Sequence, residues 1–323
     1  MKNHWDNFWQ TGTISSIPFS NNNDYSKLIA NYWMSFFDAL KENTKVLDVA
    51  TGNFIVPVFA LISSKNTSKK LKVFATDLAM IDVEPVIQKN SHLTEHLKKI
   101  QYSSGVNTES LPFDDGSIGC ITSMYGFEYS SIKNNLVEFE RVLISKGVIK
   151  LLCHSEDSSL LIKNKLTKAC ISDILTSSKT LKTLEDLSLL MGSIRTTKDL
   201  QSLKFNTKCE NAREKLNNCL SHLQEKYNEA LFSTELPSFI SELLKGLLPS
   251  THEERLLNIK NKRKQMKDVL ERLEDLQKAS LTQSDIDQIF TVAKELDIKV
   301  KKNETVTDSF GNTLGVGFEL QKK

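Results

Sequence analysis

Five short strand-like runs recur along the first half of the chain: "KVLDVA", "LKVFATDL", "KIQYSS", "IGCITSMY" and "GVIKLLCHS". Between them lie "FIVPVFALISS", "DVEPVIQKNSHLTEHLKK" and "IKNNLVEFERVLIS", whose apolar residues recur at helical spacing. This alternation constrains the fold more than any other feature. Parallel strands need a crossover of a dozen or more residues, usually a helix, so strand, helix and strand at this spacing imply parallel pairing. Strands rich in Val, Ile and Leu fit a sheet covered on both faces. The expectation is an α/β fold with a doubly wound, mostly parallel sheet.

The middle of the chain changes character. From about Ser158 to Leu296 it is almost all helix former, with few glycines. In "ERLLNIKNKRKQMKDVLERLEDLQK", Leu256, Ile259, Met266, Leu270 and Leu273 form one apolar stripe. Arg263 and Gln277 interrupt that stripe, which argues against a sustained coiled coil. The final stretch, "DIKVKKNETVTDSFGNTLGVGFELQKK", reads as two antiparallel strands around a turn containing Gly311 and Asn312. These two would complete a seven-stranded sheet. The expected division is residues 1–157 with 281–323 as a cofactor-binding domain, and 158–280 as a helical insertion or cap.

Composition removes several classes. A formal net charge of +2 over 323 residues creates no general attraction for nucleic acid or anionic membrane. The longest apolar run, "FIVPVFALI", is far short of the roughly 18 residues a membrane span needs. The opening "MKNHWDNFWQTG" has no apolar signal-peptide core. The five cysteines are scattered and lack a CxxC pair, so they read as reduced thiols, with no metal site expected. A cytoplasmic location is expected.

The chemistry of a doubly wound sheet sits at the carboxyl ends of its strands. "VLDVATGN" is such an end. Gly52 admits positive φ and close backbone approach to a ligand. A helix starting near Phe54 would aim its first amides at the same spot, favouring a carboxylate. Asp48 is placed to orient the loop or to pair with a ligand ammonium. Asp77, closing the next strand in "FATDLA", suits a ribose diol. Each piece alone is more often plain turn or cap chemistry. In this order, about 25 residues apart, they suggest a nucleoside site. A dinucleotide fingerprint needs G-x-G-x-x-G, and here only Gly52 is present. S-adenosylmethionine, which has no phosphate, is the better match.

Taken together, "VLDVATGN", "FATDLA", "SSGVNTESLPFDDGSIGCITSMYGFEYS" and "EFERVLISKGVIKLL" resemble the ordered motifs of class I S-adenosylmethionine-dependent methyltransferases. The nearest branch is the UbiE-like group, whose founding members methylate quinone precursors on carbon. The resemblance covers about Lys45 to Leu152 and leaves the helical middle uncovered. It implies cofactor contacts at Ala50, Gly52 and Asn53 in the turn, and at Asp77 on the ribose with Leu78 beside the adenine. It further implies Asn107 and Thr108 at the adenine edge, Met124 after the fourth strand, and Tyr25 in an N-terminal segment folded over the cofactor. Departures from the pattern are Phe54 for a third glycine, Asn107 for an acid, and Gly119 for an acid beside Ile118. Phe54 begins the apolar helix face, so a core position is expected for it.

Methyl transfer from a sulfonium is an in-line displacement driven mostly by positioning, and a base helps only when the acceptor must lose a proton. "MYGFEYSS" supplies Tyr125, Glu128 and Tyr129, and "LLCHSED" supplies His154. Glu128, Tyr129 and His154 are expected to converge beside the transferable methyl, although each also reads as core, cap or strand-end chemistry. The expected acceptor is a small molecule. The alternatives are a methyltransferase of the same fold acting on RNA or protein through the basic run Lys260–Lys267, and a non-catalytic S-adenosylmethionine binder. Acidic residues follow that run at once and no aromatics interleave it, which favours a solvated helix face over nucleic acid. Oligomeric state is not legible.

Overall fold

Strands form where the five runs predict them. They are β1 Lys45–Val49, β2 Lys72–Asp77, β3 Gln101–Ser104, β4 Ile118–Met124 and β5 Leu143–Cys153. The closing pair is β6 Ile298–Thr307 and β7 Thr313–Lys322. The computed structural model describes residues 3–16, 24–246 and 248–323, with the side chains of Asn3, Asp24 and Tyr25 outside the described residues. The sheet order is β3-β2-β1-β4-β5-β7-β6. β1 to β5 are parallel, and β7 runs antiparallel to both its neighbours. Leu47 of β1 is opposite Phe74 on one side and Ile121 on the other, so the order reverses direction at the β1–β4 seam. Such a reversal opens a crevice at the strands' carboxyl ends. The expected doubly wound, mostly parallel seven-stranded sheet is met.

Helices cover both faces. They are α1 Asn3–Trp9, α2 Asp24–Asp38, α3 Ile55–Thr67, α4 Val83–Lys89, α5 Thr94–Leu97 and α6 Ile132–Val142. Ile29, Trp33 and Phe37 of α2 pack with Val56 and Phe59 of α3 on one face. Leu136 and Phe139 of α6 pack with Leu47, Ile121 and Phe318 on the other. Two elements depart from the sequence expectation. The helical spacing of "IKNNLVEFERVLIS" predicts a helix through Ser145, but α6 stops at Val142 and β5 starts at Leu143. Pairing of Leu143 with Ile118 and its complete burial outweigh one more helical turn. "DVEPVIQKNSHLTEHLKK" breaks at Asn90, whose φ of −130° and ψ of 54° lie outside the helical region.

Contacts divide the chain into two units. One runs up to Leu161 and resumes at Asp275–Lys323, and the other is Ile162–Glu274. The second is therefore shorter at both ends than the expected 158–280. Its helices are α7 Ser159–Thr176, α8 Thr180–Met191, α9 Thr197–Leu203, α10 Thr207–Tyr227, α11 Glu229–Ser233, α12 Leu236–Lys245 and α13 His252–Ala279. α14, Gln283–Glu295, belongs to the sheet unit. Ile259 and Met266 of the predicted stripe are buried with Ile174, Leu184, Leu216 and Leu223. Arg255 is buried beside them, and its guanidinium donates to Ser250 Oγ at 2.7 Å and to the carbonyls of Ser188 and Gly192. No helix among the described residues is long and apolar enough to cross a membrane.

Phe54 occupies the third-glycine position in the left-handed region, with φ 72° and ψ 19°, as the N-cap of α3. Its ring is fully buried and lies 5.1 Å from that of Tyr102, as the sequence reading expected of a core residue. A left-handed non-glycine residue costs about 1–2 kcal/mol, whereas deleting a buried phenylalanine costs about 3–5 kcal/mol. Packing therefore outweighs strain. Phe54→Gly should lower stability by about 2–4 kcal/mol in urea unfolding, although it restores the glycine of the pattern the sequence resembles. A stabilised variant would show that strain dominates at this position.

Candidate active site

The β1–α3 turn is tight. Ala50, Gly52 and Phe54 all take positive φ, at 50°, 54° and 72°. The Gly52 amide donates to Asp77 Oδ2 at 2.7 Å, and the Ala79 amide donates to Asp77 Oδ1 at 2.8 Å. Asp77 thus ties the ends of β1 and β2 together. Burial, only partly offset by these donors, raises its pKa to about 6. A Cβ on Gly52 would lie 2.5 Å from the Trp9 indole, so the close approach that this glycine permits is taken by Trp9 of α1.

Helix α1 is held over the turn by several contacts. Asn53 Nδ2 donates to the carbonyls of Trp9 at 2.8 Å and Thr13 at 2.7 Å. The Met80 amide donates to Asp6 Oδ1 at 2.7 Å. His4 Nε2 lies 2.9 Å from Asp275 Oδ2, and Trp5 Nε1 donates to the same oxygen at 3.3 Å. The Trp5 ring stacks on Trp9 and meets Tyr129 edge-on at 5.8 Å.

On the other side of the crevice, β4 ends in a strained turn. Tyr125 has a positive φ of 57°, a costly conformation for a bulky residue. A Cβ on Gly126 would sit 2.5 Å from Ala50 Cβ, so this turn presses against the β1 turn. The short turn Phe127–Tyr129 follows. Glu128 is 7% exposed. Its Oε1 accepts from the His154 amide at 2.7 Å, whereas Oε2 is buried with no hydrogen-bond partner among the described residues. Burial raises the Glu128 carboxyl to about 7. These segments enclose a cavity of about 500 Å³. Its walls are Trp5, Asp6 and Trp9 of α1; Ala50; Asp77–Ala79; Asn107 and Thr108; Tyr125, Gly126 and Glu128–Ser130; and Asp275, Lys278 and Ala279.

The family whose pattern matches the sequence is the ubiE/COQ5 methyltransferase family, over residues 22–208, more than half of the chain. The chain belongs to the ubiE/COQ5 methyltransferase family. The UbiE-like class I resemblance read from Lys45 to Leu152 falls inside that span. No curated protein matches the chain. Among solved structures it is similar to a putative sarcosine dimethylglycine methyltransferase from Galdieria sulphuraria, at 13% identity over 99% of this chain and 98% of that one, with a TM-score of 0.40. It is similar to a SAM-dependent methyltransferase from Aquifex aeolicus at 23% identity, over 39% of this chain and 64% of that one, TM-score 0.31. A putative methyltransferase of Haloferax volcanii, solved with the Trm112 methyltransferase activator, matches at 18% identity over 50% of this chain and 65% of that one, TM-score 0.34. The chain spans less than two thirds of the Haloferax and Aquifex chains.

In this family member, the predicted residues divide. Ala50, Asp77, Leu78, Asn107, Thr108, Glu128 and Tyr129 line this cavity. Leu78 is 49% exposed, and Tyr129 has its hydroxyl pKa raised by burial. The Thr108 hydroxyl is already engaged with Asn135 Oδ1 at 2.8 Å and Ser130 Oγ at 3.0 Å. Asp48, Gly52, Asn53 and Met124 stand outside the wall. Tyr25 has its side chain outside the described residues.

Of the three side chains expected to converge, Glu128 and Tyr129 line the cavity and His154 does not. The His154 main chain meets Glu128, but its ring is 2% exposed and stacks flat on Tyr125 at 4.2 Å, away from the cavity wall. Burial lowers its pKa to about 3, so it is a poor base. Trp5, Asp6, Trp9 and Asp275 line the cavity without having been assigned from the sequence. The four-residue spacing of Trp5 and Trp9 on a short helix was the available signal.

Asp48 is buried in β1 and accepts from Thr122 Oγ1 at 2.6 Å. Burial raises its pKa from 3.8 to about 7. Between these values the folded chain keeps a proton that the unfolded chain has released, so stability falls as pH rises from about 4 to about 7. Asp48→Asn keeps an acceptor for Thr122 and removes the titration. Urea unfolding at pH 5 and pH 8 should show the wild-type loss of stability shrinking by about 1 kcal/mol or more in the variant. An unchanged difference would place the proton elsewhere.

Proposed function

We propose that this chain transfers a methyl group from S-adenosylmethionine to a small-molecule acceptor. The observation that carries the reading is Asp77. It closes β2, faces the cavity and is fixed by the Gly52 and Ala79 amides. Each of its oxygens keeps a second lone pair, which suits the two hydroxyls of a ribose. The exposed face of Leu78 and the side chain of Asn107 lie beside it in the wall, where an adenine would rest. Ala50 and the aromatic rings of α1 would border the methionine tail. The fit is good at the adenosine end, and at the turn it differs from the family expectation because Trp9 covers Gly52. When bound, S-adenosylmethionine supplies an electrophilic methyl. The chain's own part is to hold it, exclude water and orient the acceptor at Glu128 and Tyr129.

The helical unit, Ile162–Glu274, is proposed as a substrate cap on connectivity alone: the chain leaves soon after β5 and returns at Asp275. A polymer substrate is less well supported. In the basic run, Lys262 is buried and paired with Glu235 at 3.2 Å, and Arg263 pairs with Glu185 at 2.7 Å. A cytoplasmic site of action rests on the five free cysteines.

Calorimetry with S-adenosylhomocysteine tests the reading. Wild type should bind one molecule, and Asp77→Ala should lose roughly 5- to 150-fold in affinity, corresponding to about 1–3 kcal/mol for buried hydroxyls left unpaired. Equal affinity in both proteins rejects the Asp77 assignment. Tight binding of a nicotinamide dinucleotide in its place rejects the cofactor.

A further inference from the structure

We propose that Lys278 holds the carboxylate of the cofactor's methionine tail. This inference rests on the S-adenosylmethionine reading and adds a binding residue to it. The residue comes from the segment that returns after the helical unit, outside the stretch 22–208 that matches the family.

The seat expected for that carboxylate is closed. An anion at a helix N-terminus is bound by free backbone amides, and the β1–α3 turn is where the sequence places them. In the structure these amides are engaged or hidden. The Thr51 amide donates to the Thr76 carbonyl at 3.0 Å, the Gly52 amide to Asp77 Oδ2 at 2.7 Å and the Phe54 amide to the Thr51 carbonyl at 3.4 Å. Asn53, Ile55 and Val56 are buried, and Pro57 has no N–H. Trp9 covers Gly52. Of this turn, Ala50 alone reaches the cavity wall. A carboxylate taken into the cavity therefore needs a partner from elsewhere, because an anion withdrawn from water without one is costly.

The opposite wall supplies it. The acids of the wall are Asp6, Asp77, Asp275 and Glu128, and Lys278 is its one cationic side chain among the described residues. Asp6 takes the Met80 amide, and Asp275 takes His4 and Trp5. Lys278 is exposed and makes no ion pair among the described residues. Its flexible four-carbon stem gives the ammonium reach. The ammonium of the methionine tail suits the acidic groups, and its carboxylate suits Lys278.

The backbone that carries Lys278 is fixed beside the crevice. Asp275, Lys278 and Ala279 lie at three- and four-residue steps, on one face of α13. Before Lys278, Asp275 Oδ2 meets His4 Nε2 at 2.9 Å and accepts from Trp5 Nε1 at 3.3 Å. Beyond it, the Leu281 amide donates to the His154 carbonyl at 2.9 Å, and the Glu156 amide donates to the Leu281 carbonyl at 3.1 Å. The last turn of α13 is thus tied to α1 on one side and to the end of β5 on the other. A lysine in the last turn of a helix also complements the helix dipole. That role acts on the fold and is blind to which ligand binds.

Calorimetry compares S-adenosylhomocysteine with its decarboxylated form, which keeps the adenosine, the sulfur and the ammonium and lacks the carboxylate. Wild type should bind S-adenosylhomocysteine roughly tenfold more tightly than the decarboxylated form. Lys278→Met should lose roughly tenfold in affinity for S-adenosylhomocysteine and bind the decarboxylated form within about twofold of wild type. Lys278→Arg should recover most of that loss, since it restores the charge. Added sodium chloride should weaken S-adenosylhomocysteine binding more in wild type than in Lys278→Met, because salt screens an exposed cation. Equal S-adenosylhomocysteine affinity in wild type and Lys278→Met overturns the proposal. Equal loss for both ligands assigns Lys278 to the fold of α13 and also overturns it. Asp77→Ala separates this inference from the reading it rests on: it should weaken both ligands, since both carry the ribose. A loss in Asp77→Ala beside an unchanged Lys278→Met keeps the cofactor and removes this inference. Failure of wild type to bind S-adenosylhomocysteine removes both.

Discussion

The hydrogen bond from the Gly52 amide to Asp77 Oδ2 joins two strand ends, beside that of the Thr51 amide to the Thr76 carbonyl. Much of the site depends on it. A carboxylate buried without donors would be costly. With donors from two turns, at Gly52 and Ala79, its direction is fixed before any ligand arrives. The same bond helps stabilise a turn in which three of five residues are left-handed. Ala50 and Phe54 have no glycine freedom there, so packing and hydrogen bonding must offset about 1–2 kcal/mol each. Burial of the Phe54 ring and the Asp77 bond are the visible compensations.

The sheet was legible because its signal is local. Short runs separated by helical spacing specify parallel strands without any knowledge of what packs on them. Gly311 and Asn312 announced the final hairpin, and Gly311 does take a φ of 82°. Boundaries were harder where long-range pairing competes with helical spacing. Leu143 is helical by pattern and extended by its pairing with Ile118, a residue far upstream in sequence. Lys150 carries the same lesson in charge. It sits inside β5, paired across the sheet with Glu304 and Glu319 and 4.3 Å from the Tyr32 ring, partners that no local pattern reveals.

The site was legible in part. Asp77 and Leu78 follow from strand ends, and Glu128 from the loop after β4. The place of the His154 ring was not legible, because position at a strand end fixes where the backbone goes and leaves the ring direction open. His154 follows the last residue of β5, and its ring lies against that of Tyr125. Gly52 was read as a point of close approach to a ligand, and what approaches it in the structure is Trp9, more than forty residues away in sequence. That partner, with Asp6 and Trp5, enters the wall only through the tertiary docking of α1.

Helix α1 has a further consequence, concerning the order of assembly. Its seven residues leave the ribosome before their partners, which are spread along the chain at Gly52, Asn53, Met80, Tyr129 and Asp275. The last of these appears some 270 residues later, which at 5–20 residues per second is roughly tens of seconds of synthesis. Until then the helix has only part of its seat. A seven-residue helix is too short to persist alone in water. The α1 part of the cavity wall is thus translated before the residues that seat it, so a nascent chain can carry strands β1 to β5 long before it carries a closed site.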